Sequence, residues 1–378
     1  MRLHQSQDPP LHVSGLRVVQ VVATTTGGTG AHVALLTEQL TRAGAEVTVC
    51  GPVQAQEQFG FAALGATFQR IRIGSAPHPR DTLTVRLLRR AAKDADVVHA
   101  HGLRAGALTG LATSRSTPFV ITRHNLVLAT SRIRRLREAL ERYTARRADV
   151  TMCVSSDLVD AVRAAGGEDV RRTFVTAPPM KPAGRTRAEV REELAAADRP
   201  VVLAVGRLHP QKDWPTLVAA ALELSALDPT PVVVIAGDGP QRAELEKLVA
   251  SSQAPIRLLG ERTDIPDLLA AADVLVLTSV WEAGSLAVQE GLRAGVPFVG
   301  TRVGAIPDLV ADAGLLVPVH DAHAVATQVR RVLTEPGVAE DLRDRAHRRA
   351  RVLPTDADVA GQVVAAYSGA LAAVRGRA

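Results

Sequence analysis

The chain has 378 residues, enough for two domains, since a single core rarely grows past ~250–300 residues. Its composition, 46% hydrophobic and 22% charged, excludes long disorder, and 3% aromatics leave few platforms for stacking nucleic-acid bases. The net charge of +6 divides into +9 over residues 1–180 and −3 over 181–378, and only four basic residues are lysines (Lys93, Lys181, Lys212 and Lys247).

The chain opens on a polar, proline-containing stretch, MRLHQSQDPPLHVSG, without the apolar run of a secretion leader. No window reaches ~18 consecutive apolar residues, so the expectation is a cytoplasmic protein without a membrane span. From residue 16 a pattern repeats: a short apolar, β-branched run, a turn, then a longer stretch with apolar residues at i, i+3, i+4 spacing. The runs predicted as strands are 16–23, 46–50, 96–102, 118–124, 149–155 and 172–177. A second set follows at 200–206, 231–237, 256–260, 273–279, 297–301 and 314–318. Runs apolar on both faces and alternating with helices predict parallel sheets covered by helices. Two doubly wound domains are expected, with ligands at the carboxyl ends of their strands.

TAPPMKPAGR (176–185), with three prolines and a glycine, breaks both periods and reads as a linker. The expected division is 1–178, 179–353 and a terminal segment, 354–378, read as a helix beginning after Pro354. Cys50 and Cys153 lie in strand-like runs and read as buried free thiols, too few for a disulfide framework or a cysteine zinc site.

Three loops carry chemistry. After 16–23, TTTGGTGAH places Gly27, Gly28 and Gly30 between a strand and a helix, where backbone N–H groups can approach an anion. The spacing is not that of a dinucleotide fingerprint, and a plain flexible turn reads about equally well. After 200–206, GRLHPQKDW sets Arg207 and Lys212 just past a strand end. A guanidinium fork plus an ammonium suits a diphosphate, against the plain alternative of a solvated loop. After 273–279, Glu282 and Glu290 flank a glycine turn. A helix starting near Ser285 would hold Glu290 and expose N–H groups to phosphate or sugar oxygens, and a carboxylate suits vicinal hydroxyls.

No convincing metal site is read. The D-x-D triplets, Asp94/Asp96 and Asp356/Asp358, lie away from these loops. His99 and His101, alternating on a strand, are read as pointing to opposite faces and so unable to share an ion. At least one of them is expected to be a packed or rim histidine.

The segments GGTGAH (27–32), HAHG (99–102), TRHN (122–125), GRLHPQK (206–212), GDGP (237–240), DIPDLLAAADV (264–274), E-x7-E (282–290) and AGVPFVGTRVGAIPDLV (294–310) together resemble the family 4 retaining glycosyltransferases of the GT-B fold. The resemblance runs from about residue 16 to the terminal helix. It implies two Rossmann-like domains facing a central cleft, the first binding the acceptor and the second a nucleotide-sugar donor of UDP or GDP type, with the last helix returning to the first domain. It implies Arg207 and Lys212 on the donor diphosphate and Glu290 on the ribose. Glu282 with the N–H groups of Gly284, Ser285 and Leu286 would hold the sugar and its phosphate. His124 would contact the sugar near its reacting carbon, and Gly28 would lie over the phosphates. It also implies retention without a carboxylate nucleophile, and neither cofactor nor metal. The sequence departs from the family at EAGS (282–285), where E-G-F-G is usual, at APPM (177–180), where N-G-V is usual, and at Gly304–Ala305, where two glycines are usual.

Two alternatives stand beside this reading: a catalytically silent subunit that binds sugar nucleotides or glycans, and a GT-B sugar-nucleotide epimerase. The acceptor reads as a glycan, a lipid-linked sugar or a small molecule. Two basic stretches, 86–93 and 131–149, read either as solvated helix faces or as a surface for anionic headgroups at the inner face of a membrane, or for an anionic acceptor. Nucleic acid is not an expected partner.

Overall fold

A computed structural model describes residues 13–24, 27–74, 76, 78–125 and 134–377. The chain forms two compact units. The first comprises residues up to Thr176 together with Pro354 onward, and the second is Ala177–Leu353.

The first unit holds a parallel sheet of seven strands: β1 (Arg17–Val22), β2 (Glu46–Gly51), β3 (Thr67–Arg70), β4 (Val97–His101), β5 (Phe119–Arg123), β6 (Val150–Cys153) and β7 (Val170–Arg172), in the order β3-β2-β1-β4-β5-β6-β7. The order reverses direction between β1 and β4, the place where doubly wound sheets open a crevice for ligands. Side chains alternate across the sheet. Val18 and Val22 enter one core cluster, while Val19 and Val21 enter the other.

Two readings needed correction here. Strand β3 escaped the sequence pattern because TFQR is short and half polar, at a sheet edge. The run 172–177 is not a strand beyond Arg172, where β7 ends.

The helix Asp356–Arg375 begins with a capping box in which Thr355 and Asp358 satisfy each other's backbone N–H groups. By length and composition it could cross a bilayer. Its face of Val359, Val363, Ala366, Tyr367 and Ala370 is instead buried in the core of the first unit.

The second unit holds a parallel sheet of six strands: β8 (Val201–Val205), β9 (Val232–Ala236), β10 (Ile256–Gly260), β11 (Val274–Leu277), β12 (Phe298–Thr301) and β13 (Leu315–Val317), in the order β10-β9-β8-β11-β12-β13. Its reversal lies between β8 and β11. Val201 and Leu203 pack into one cluster and Val202 and Ala204 into the other, so both faces are dry and helix-covered. Cys50 and Cys153 are free and buried, and burial pushes both thiols up to about 12.

Candidate active site

In the second unit, the loops after β8 and β11 meet at the carboxyl ends of the strands. The Gly206–Asp213 loop is short and tightly held. Pro210–Lys212 form one 3-10 turn, capped by the His209 side chain on the N–H of Gln211. The β11 loop is pinned to it by three bonds. Val280 N–H donates to the Gln211 carbonyl (2.9 Å), Gln211 Nε2 donates to the Trp281 carbonyl (2.6 Å), and Thr278 Oγ1 donates to the Lys212 carbonyl (2.9 Å).

The candidate side chains close the same contact. Lys212 Nζ lies 2.5 Å from Glu282 Oε1, and Ser279 Oγ donates to that oxygen at 2.6 Å. Both charged side chains are largely shielded, so this pair is screened far less than a surface pair. The Glu282 backbone is also fixed. Its carbonyl accepts from Ala305 N–H at 2.9 Å, and a Cβ on Gly304 would lie 2.0 Å from it, at a residue with φ +51°. Only glycine fits there. Gly237 is similar: a Cβ would fall 1.9 Å from the Gly206 carbonyl oxygen, so GDGP packs directly against the β8 loop.

The helix Leu286–Arg293 starts where the sequence placed it, with Ser285 at its N-cap but no side-chain cap bond. Its first-turn N–H groups precede the intrahelical ladder and carry a partial positive charge. Glu290 lies within this helix, half-buried, and burial raises its carboxyl above the usual range while Arg293 opposes the shift. Gly284, Ser285, Leu286, Glu282, Lys212 and Arg207 thus fall on two adjoining loops and one helix start of a single unit.

In the first unit, the helix Gly28–Arg42, strand β4 and the end of β5 bring together a cluster of buried imidazoles: His32, His99 with His101, and His124. Residues two apart on a strand share a face, so His99 and His101 point the same way, contrary to the sequence expectation. Their ring centroids are 4.2 Å apart. His99 is bonded through Nδ1 to the Tyr367 hydroxyl (2.9 Å) and through Nε2 to Thr122 Oγ1 (2.7 Å). His101 lies 3.2 Å from His124 Nε2 through its Nδ1 and 3.1 Å from Gln20 Oε1 through its Nε2. His124 Nδ1 and both nitrogens of His32 are buried without a hydrogen-bond partner among the described residues. Burial lowers His32 to about 4 and His99 to about 3, and drives His101 and His124 well below the usual imidazole range. All four are therefore neutral near pH 7.

His32, His101 and His124 each offer a nitrogen within 4.8 Å of the others, so these three could hold a metal ion. A cation there would have to displace the existing contact between His101 and His124. Three of the four D-x-D carboxylates have structural partners: Asp96 binds Arg17, Asp356 accepts from Thr176, and Asp358 caps the terminal helix.

Gly28 is the first residue of the helix Gly28–Arg42, and Gly27, at φ +97°, caps it with open space around its Cβ position. Gly30 serves packing instead, since a Cβ would strike the Phe59 ring at 2.0 Å. Residues 25 and 26 lie outside the described residues.

Sequence reasoning missed Gln20, His32 and Ser279. Gln20 was discoverable as the one polar residue inside the apolar stretch Val18–Val22 of β1.

The basic stretches are partly structural. Arg147 is buried, donates to the carbonyls of Gly110, Thr113 and Ser114, and stacks on Phe119. Arg123 and Arg137 share Glu141, and Arg89 donates to the carbonyls of Leu111 and Ala112. Residues 131–133 of the second stretch lie outside the described residues.

Residues 27–178 match the glycosyl transferase 4-like domain, and residues 186–351 match the glycosyl transferases group 1. An alpha-D-kanosaminyltransferase of Streptomyces kanamyceticus is 33% identical over 174 residues, a match that spans 44% of this chain and 44% of that protein. A D-inositol 3-phosphate glycosyltransferase of Salinispora arenicola is 30% identical over 322 residues, 74% of this chain and 71% of the relative. In fold, the chain matches Anabaena HepE, solved in complex with UDP and glucose, with a TM-score of 0.76 at 18% identity, covering 93% of this chain and 99% of that one.

Proposed function

Because the chain belongs to the group 1 glycosyl transferases, family 4 of the GT-B fold, we propose that it moves a sugar from a nucleotide-diphosphate sugar to a hydroxyl acceptor with retention at the anomeric carbon. The observation that carries this reading is the shielded Lys212–Glu282 pair beside the uncapped start of the Leu286–Arg293 helix.

In this reading Arg207, Lys212 and the helix N–H groups hold the donor diphosphate. The bond between the anomeric carbon and the diphosphate oxygen breaks, and its electron pair leaves with the diphosphate. Fixed positive charge aimed at that oxygen stabilises the transition state, so the step calls for no metal. The acceptor oxygen bonds to the same face of the anomeric carbon, and its proton passes to the departing phosphate. Glu282 already accepts from Lys212 and Ser279 through one oxygen, which makes it a poor nucleophile and suits it to holding Lys212 and sugar hydroxyls. Glu290 holds the ribose, and His124 contacts the sugar. UDP and glucose bound to Anabaena HepE support a UDP-type donor.

For the acceptor, the relative named for inositol phosphate and the +9 balance of residues 1–180 favour a small anionic polyol over a cationic one. The test is turnover of a UDP- and GDP-sugar panel by the parent, Lys212→Ala and Glu282→Ala. A loss of about 100-fold or more in kcat/KM for both variants is expected from removing fixed transition-state charge. A parent that turns over no donor, or variants that match it, would sink the reading.

A further inference from the structure

The buried histidines of the first unit contain a hydrogen-bond chain whose directions are set by chemistry. It begins at Thr37. The Thr37 hydroxyl has one proton, and it is directed at the Val33 carbonyl at 2.7 Å. Toward Gln20, 3.1 Å away, Thr37 Oγ1 can therefore only accept. The Gln20 amide must turn its NH2 group to Thr37, which leaves its carbonyl oxygen facing His101 Nε2 at 3.1 Å. A carbonyl oxygen cannot donate, so His101 must carry its proton on Nε2. A neutral imidazole has one N–H, so His101 Nδ1 is a bare lone pair. That lone pair faces His124 Nε2 at 3.2 Å, which must then donate. His124 Nδ1 is left as a lone pair, buried and without a hydrogen-bond partner among the described residues.

We propose that Gln20 and His101 are positioning residues that fix His124 as the Nε2–H tautomer, so that its Nδ1 accepts a hydrogen bond from a hydroxyl of the bound sugar. The proposal rests on the reading of His124 as a sugar contact. A wrong tautomer would present an N–H at that point, and a hydroxyl would have to turn its lone pair to it. An unpartnered buried acceptor costs free energy in the empty protein and recovers it when a hydroxyl donates. The strand register explains why the chain exists: Gln20 pairs with His99 and Val22 with His101 across β1 and β4, and His101 pairs with Thr122 across β4 and β5, two residues before His124. His101 does not touch substrate in this scheme. It acts through His124.

The experiment uses the full chain labelled with 15N-histidine and reads ring tautomers from two-bond proton–nitrogen correlations. In the parent, His101 and His124 should both show protonated Nε2 and bare Nδ1. Gln20→Leu removes the acceptor that locks His101. It should give mixed tautomers on both rings and lower kcat about tenfold, with donor KM moving less than about threefold. Gln20→Glu should restore the parent pattern, because a buried protonated carboxyl offers one acceptor to His101 and one donor to Thr37. Should Gln20→Leu fail to fold, Thr37→Val serves as the second variant, since it removes the acceptor that orients the Gln20 amide.

An Nδ1–H on either ring of the parent overturns the relay, whatever the activity. So does unchanged tautomer and unchanged kcat in both Gln20→Leu and Thr37→Val. Zinc titrated into the parent that binds stoichiometrically and displaces the His124 Nε2–H also overturns it, as the cluster would then be a metal site. If the tautomers are as expected but His124→Ala turns over donor at the parent rate, the sugar-contact reading is what fails, and the positioning role falls with it.

Discussion

The two units build their polar sites by opposite means. In the second unit the site is charged and internally paired: Lys212 is held by Glu282, Glu282 by Ser279, and the loop backbone by Gly304 and Gly237. In the first unit the site is uncharged and incompletely paired, with four neutral buried imidazoles and three ring nitrogens that no group among the described residues satisfies. Paired charge suits an anionic ligand that must be held while its own charge grows. Open neutral acceptors and donors suit hydroxyls. The difference teaches that one chain can build two polar sites with two kinds of electrostatics, one from paired charge and one from neutral rings.

Acid should separate the units most. The histidines have folded-state values depressed below the unfolded value of about 6.5, so their contribution to stability is present above that pH and is lost as the pH falls. His32 and His99, at about 4 and about 3, make the window pH 6.5 down to about 3. By pH 4.5 each should cost about 2–3 kcal/mol. In the second unit, the Arg185–Arg262 network lowers Glu193, Asp264 and Asp267, and those contributions persist until the carboxylates protonate, near pH 4 and below. Both tryptophans, Trp214 and Trp281, are buried in the second unit. From pH 7.5 to 4.5, loss of circular dichroism should therefore precede the change in tryptophan fluorescence. Coincident transitions that do not move with pH would break the contrast.

Charge removal should come next. Glu282→Gln keeps the shape but leaves Lys212 beside a neutral amide, and kcat/KM should fall by about 100-fold while the melting temperature changes little. A fall in stability with kcat/KM unchanged would make the pair structural. Gly304→Ala should destabilise by about 1–3 kcal/mol, because a side chain at φ +51° meets the Glu282 carbonyl, and thermal unfolding followed by fluorescence would read it. A tolerated alanine would show that the loop is looser than drawn.

The smallest effect concerns the basic surface of the first unit. Arg147, Arg123 and Arg89 are engaged internally, so only the remaining arginines, with exposed Leu83 and Leu136, are left to meet anionic lipid. Co-sedimentation with anionic vesicles should rise modestly over neutral ones at low salt, by about 1 kcal/mol per engaged residue, and vanish at high salt. Equal, salt-independent behaviour would remove the membrane reading.

The second unit was the more legible in sequence. Its strands are long apolar runs, and its chemistry sits in loops whose rare lysine and spaced glutamates stand out locally. The first unit hid its site because the site is made by register. Gln20, His32, His101 and Tyr367 are far apart in sequence, and only the order β2-β1-β4-β5 and the terminal helix bring them together. The period-2 rule applied to HAHG would have put both histidines on one face. What it could not give is Gln20 opposite His99, since strand pairing is a long-range property. Gly30 shows the reverse case, a glycine in a ligand-like loop that packing against Phe59 requires.

The most direct measurement is a donor titration followed by tryptophan fluorescence, since Trp281 adjoins Glu282. Parent, Lys212→Ala and His124→Ala would each be titrated with the UDP- or GDP-sugar that the panel selects. Saturable binding in the parent, weakened about tenfold or more by Lys212→Ala and by only a few-fold by His124→Ala, is the expected result. Binding that Lys212→Ala leaves unchanged would contradict a diphosphate held by the second unit.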